Sequence, residues 1–397
     1  MIKALLHAVC VLCLMAVFCS VGCQPGNSSE KNRTDPNAQA LVVSISTDGR
    51  YVLSSNQDKT LVLWDLQQKS KTTISSQSNI YSAYFIKGTD KFLWQDLNDE
   101  VHVQEVSGKT ITTFPHFPTY GHVMDQNLQT YFSSDQDWNI FSGFGQKLQP
   151  VKQDGDSPSF FVGKLLNFSL SQEGAILLSG GDGSRLADNE PIEKFPPINP
   201  EQRFSNYAGV VLWDTKSLKP LFKLSGHSAK TTATLSPDGQ WVVSGDEGGR
   251  GYVRNARIGE TYQDIASIFL GVLDKNGTDD YEKWTFNNKG LIKWPKGWDT
   301  HHDSILALKF ISKSHYLRFT TYEPYAILYH VDNPLPLKYL PLGRDPFPSV
   351  SDYPRNSSID TAPEAGILVT GQRDGGGIIV YKYDSEKQEL EKIWTGN

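Results

Sequence analysis

The chain has 397 residues, 38 % of them hydrophobic and 11 % aromatic, and a formal charge of −6 with no cluster of Lys or Arg. That composition excludes a disordered chain and argues against nucleic acid as a partner. All four cysteines lie within the first 23 residues, so the rest of the chain has no disulfide framework, Cys-ligated zinc site or catalytic thiol.

Residues 1–22 carry one Lys, an apolar run from Ala4 to Phe18 broken only by His7, and small residues before Cys23. This is the pattern of an export signal, and the run is shorter than the ~20 residues of a membrane span. Ser20-Val21-Gly22-Cys23 resembles the lipobox of bacterial lipoproteins, with Ser20 where that family usually has Leu. The resemblance implies cleavage before Cys23, acyl chains on Cys23 and, since Gln24 is not Asp, the outer membrane rather than the inner. More than one acyl chain gives stable anchoring. Residues 23–39 then read as the lipidated cysteine and a tether, because "QPGNSSEKNRTDPNAQ" has too few large apolar side chains to fold. The mature body is 40–397, and its charge with the tether is −7, since the leader removes Lys3.

From residue 41 the sequence parses into short strands joined by tight turns: Val42 to Ser46, Tyr51 to Ser55, Thr60 to Asp65 and Lys71 to Ile74. Trp64-Asp65 recurs as Trp213-Asp214, and "SPDG" (236–239) repeats the first-hairpin chemistry of Thr47-Asp48-Gly49. The unit resembles a WD40 repeat. Weaker copies are centred on 81–113, 121–150, 305–340 and 358–395, and first-hairpin turns fall at Asp48, Asp90, Asn127, Glu173, Asp238, Ser314 and Glu364. The expected fold is all-β: a seven-bladed WD40-like β-propeller of four-stranded antiparallel blades, closed by packing between first and last blades. The resemblance also implies a hydrogen-bond network of His, Ser or Thr, Asp and Trp. Asp58, Trp64 and Asp65 match it in the first unit, with Ser54 or Ser55 supplying the hydroxyl. Trp213 and Asp214 match in the fourth, His227 and Ser244 in the fifth. In that fifth unit Gly248 replaces the Asp and Arg254 the Trp. Such a set is structural, since buried polar groups are commonly packing devices.

Two insertions interrupt the repeat. Residues 181–208 fall in the second hairpin of the fourth blade. Residues 256–290 are expected to separate the third strand of the fifth blade from a fourth strand in "LIKWPKGW", so that the two insertions emerge on opposite faces. Loops beyond ~12–15 residues are often functional. Phe195, Phe204 and Tyr207 in one, with Trp284 and Phe286 in the other, are of types enriched at interface centres.

No Walker loop, nucleophile elbow or paired-Cys motif occurs. "SGGDGS" (179–184) suits a hairpin, His301-His302-Asp303 stands where the repeat places a residue pair before a strand, and "DKNGTDDYE" (274–282) fails the EF-hand pattern. No catalytic residue, metal or cofactor is therefore expected. The reading is a membrane-anchored lipoprotein of the bacterial envelope that binds other envelope proteins. The alternatives are a metal-dependent hydrolase using the central channel, or an exported effector binding host proteins.

Overall fold

In the first repeat unit, burial falls from the inside outward. Tyr51–Asn56 is buried at every position but the first and Leu61–Asp65 at every position but the last, whereas Ser70–Ser75 has no buried residue. Strands covered on both faces read as continuous apolar runs, and an edge strand does not. This pattern requires neighbours above and below the sheet.

The computed structural model describes residues 40–114, 121–134, 140–143, 149–150, 165–171, 173–181, 210–217, 219–224, 231–246, 251–256, 261–264, 285–286, 292–293, 305–320, 325–342, 358–372 and 377–396. All fall in one unit, Thr34–Asn397. Among them, seven sheets have four antiparallel strands, each in simple sequential order: 40–75, 78–114, 121–150, 165–224, 231–264, 305–341 and 359–396.

Packing joins these sheets in chain order. Leu53 and Leu63 meet Phe85 and Phe92 between the first and second sheets. Val103 meets Met124 and Tyr131 between the second and third, and Phe132 meets Leu177 and Trp213 between the third and fourth. The fourth and fifth share Leu212 and Leu235, the fifth and sixth Val253 and Ile305, and the sixth and seventh Phe319 and Ile379. One further cluster sets Val52 and Trp64 against Val369 and Val380, so the last sheet packs on the first. The architecture is a β-propeller of four-stranded antiparallel blades. A lone sheet cannot bury both faces, and radial stacking lets each sheet cover the next.

Closure uses no strand exchange, because the first and last sheets each supply their own four strands. Trp64 and Trp394 meet edge to face at 6.0 Å, and a Cβ on Gly396 would sit 2.8 Å from the Trp64 ring. The backbone N–H of Ile45 donates to Asp360 across the same seam.

Turn chemistry sets the first hairpins. Gly49 and Gly239 adopt φ of 75° and 67°, a region costly for residues with a Cβ. In both turns a serine, Ser46 or Ser236, accepts from the backbone N–H of the next strand, Tyr51 or Trp241, at 2.9 Å.

One expected strand is corrected. The outer strand of the fifth sheet is Thr261–Asp264, paired with Gly251–Asn255, and not "LIKWPKGW". Ile292–Lys293 instead pairs with Thr285–Phe286 in a separate two-stranded ribbon. The long segment therefore follows the fourth strand and links the fifth sheet to the sixth. A five-residue connection from Asn255 closes a hairpin at little entropic cost, while a distant apolar segment must close a long loop first.

Candidate functional site

Among the described residues, four of the sheets carry one bond each of the kind the expected polar network implies. Trp64 Nε1 donates to Ser54 Oγ at 2.9 Å and Trp213 Nε1 to Ser179 Oγ at 2.8 Å. Ser54, not Ser55, is thus the partner. In the fifth sheet Arg254 stands in the tryptophan position, and its Nη1 donates to Ser244 Oγ at 3.3 Å. The second sheet reverses the pair: Trp94 on the second strand donates to Gln104 Oε1 on the third at 2.9 Å. In all four, the second-strand member faces the residue two before the third-strand member. A buried N–H therefore meets an acceptor between the same two strand positions, whichever strand carries the donor.

The aspartates of the expected network cap turns. Asp65 accepts from Gln67 N, Gln68 N and Arg50 Nη2, the last at 2.9 Å. Burial pushes the Asp65 carboxyl up, but the hydrogen bonds from Arg50, Gln68 and Gln67 outweigh it and hold the group below its usual range. Asp214 is likewise held low, chiefly by the Ser217 hydroxyl. Asp58 accepts from Thr60 N and Thr60 Oγ1 within its own hairpin.

A recess of about 110 Å³ opens among the inner strands at the first-hairpin end. Asp360 crosses it to tie three sheets together: it accepts from Lys309 Nζ at 3.0 Å, Ile45 N at 3.0 Å and Ser44 Oγ at 3.3 Å. Lys87 reaches from the second sheet toward Leu170 O at 3.4 Å. Lys87 is solvent-exposed by area, yet the surrounding protein lowers its pKa by desolvation; Asp360 opposes that shift and Lys309 adds to it. None of Lys87, Lys309 or Asp360 was marked by a local motif, because their partners come from other blades.

Two faces follow from strand direction. First and third turns of every sheet lie at one end; second turns and the links to the next sheet lie at the other. The 181–208 insertion leaves from Gly181 and re-enters at Val210, a second turn. The other leaves after Asp264 and reaches Ile305, a link between sheets. Both therefore open on the second-hairpin face, from adjacent sheets, which overturns the expectation of opposite faces. Of the expected interface residues, Phe286 lies in the ribbon, and Phe195, Phe204, Tyr207 and Trp284 lie outside the described residues, as do His227 and Cys23. Among the described residues no helix is long and apolar enough to cross a membrane.

Residues 35–65 and 218–254 match the family model of the WD domain, G-beta repeat (WD40). No curated protein matches the chain significantly. Among solved structures, the chain is similar to the β-propeller domain of Cps50 (Swd1) from Myceliophteria thermophila. The TM-score is 0.57 at 12 % identity, over 89 % of this chain and 98 % of that one. At that identity the likeness shows the fold. The chain thus has the β-propeller fold, and two of its stretches match the WD40 repeat.

Proposed function

We propose that the protein is a lipid-anchored interaction scaffold of the bacterial envelope: a seven-bladed ring, held by acyl chains on Cys23, that docks other proteins and catalyses nothing. The observation that carries the docking half is the common exit of the two long insertions from adjacent sheets on one face. Binding sites concentrate on loops positioned by a rigid scaffold. The lipobox-like Ser20-Val21-Gly22-Cys23 carries the anchoring half.

In the recess, Asp360 is occupied by Lys309 and backbone, and it stands as a tie between blades. That favours a structural channel over a hydrolytic one. The test of docking is capture of envelope proteins on the immobilised chain, beside a variant in which an Asn-Gly turn joins Gly181 to Val210. Loss of specific partners in that variant is expected, with retention in Lys69→Glu and Lys387→Glu on the opposite face. Equal capture by all four chains overturns the docking face. Mass spectrometry of the mature N-terminus decides the anchor: an acylated Cys23 is expected, and an intact leader or a free cysteine in secreted protein overturns it.

A further inference from the structure

The second hairpin of the second sheet carries side chains that neither core packing nor the scaffold reading uses. It joins Lys91–Asp96 to Val101–Glu105. Asp96 Oδ1 accepts from the backbone N–H groups of Asn98 at 2.8 Å and Glu100 at 2.9 Å. That leaves Oδ2 aimed at His102 Nε2, 3.1 Å away. Glu100 is exposed, and the ligand atoms of Asp96, Glu100 and His102 all lie within 4.8 Å of one another.

His102 is fixed by groups outside this trio. Its ring stacks on Trp94 with centroids 4.3 Å apart, and its Nδ1 lies 3.2 Å from Thr113 Oγ1 on the outer strand. Without a metal, Nε2–H donates to the Asp96 carboxylate, which only accepts; when a metal takes the place of that proton, Nδ1–H donates to Thr113 Oγ1, the arrangement typical of metal-bound imidazole. The stretch 95–102 also holds three acids, Asp96, Asp99 and Glu100, and no Lys or Arg. Asp99 is turned to Gln95 Nε2 at 3.2 Å, so the excess negative charge stays in the hairpin.

We propose that Asp96 Oδ2, Glu100 and His102 Nε2 form a binding site for a divalent first-row transition-metal ion, zinc being the best fit. Two ligand atoms each about 2.1 Å from one zinc ion are about 3 Å apart at cis to tetrahedral angles, which is the separation of Asp96 Oδ2 and His102 Nε2. A mixed nitrogen and carboxylate set suits zinc over calcium or magnesium, which favour oxygen alone. Three protein ligands leave a position for water or for a side chain from outside. The inference stands apart from the scaffold reading.

Equilibrium dialysis of the full chain against zinc chloride alone tests it. One saturable site is expected, at least tenfold weaker in Glu100→Gln and weaker still in His102→Gln. Thr113→Val weakens it by about tenfold, as loss of an outer partner does. Glu100→Gln changes an exposed side chain, so an unchanged thermal unfolding curve separates lost binding from lost fold. Cobalt substitution adds a visible absorption band that the same variants abolish. No saturable uptake by the wild-type chain overturns the site and leaves a hydrogen-bonded Asp–His pair. Equal uptake in Glu100→Gln and His102→Gln places the metal elsewhere and overturns it too.

Discussion

The first and second sheets solve one problem in opposite senses. In the first, a tryptophan on the third strand donates inward to a serine on the second. In the second, the tryptophan is on the second strand and donates outward to a glutamine on the third. The fifth sheet keeps the direction of the first but uses arginine as donor. What recurs in four of the sheets is a pair of strand positions joined by one bond. The residue types are exchangeable so long as the buried donor finds an acceptor, because an unmade bond there costs about 1–3 kcal/mol.

Removing a member of the pair breaks this comparison most severely at Trp64, which also fills the seam against Trp394. Trp64→Ala is expected to cost about 3–5 kcal/mol in chemical unfolding. In the fifth sheet, Arg254→Ala is expected to cost about 1–3 kcal/mol by removing the charged hydrogen bond to buried Ser244, and Arg254→Trp to cost less because it restores a donor. The second sheet gives the sharpest check. Trp94→Ser and Gln104→Trp should each destabilise alone, while the double variant recovers about 0.5–3 kcal/mol of their sum, measured as a double-mutant cycle. Simple additivity would mean the two positions act independently.

The smallest effect lies at the turn caps. Asp65 has a folded-state pKa below its ordinary value of 3.8, so its contribution is present above that pH and is lost as pH falls through the folded value. Asp65→Asn should therefore flatten acid unfolding below about pH 4 and cost no more than about 1 kcal/mol at neutral pH, since Arg50 is part-exposed.

Much of this is legible along the chain. Trp64-Asp65, Trp213-Asp214 and the two glycine turns mark their sheets directly, because turn geometry depends on a few consecutive residues. The outer strand of the fifth sheet was not legible: "TYQD" is short and polar, and an edge strand needs only backbone partners. The mirrored Trp94 and Gln104 were also hidden, since a repeat pattern looks for tryptophan on the third strand alone. Asp96, Glu100 and His102 are close in sequence, but only the strand geometry of the hairpin turns all three toward one point.

Sequence by itself determined the period, the hairpin turns and the concentration of cysteine near one end, all properties of neighbours along the chain. Tertiary structure alone decided that both insertions open on one face, and that Asp360 joins Ile45 across 315 residues. Those outcomes depend on strand direction and on which sheets stack, and such long-range pairings are set by burial of both faces of every sheet rather than by any local run of residues.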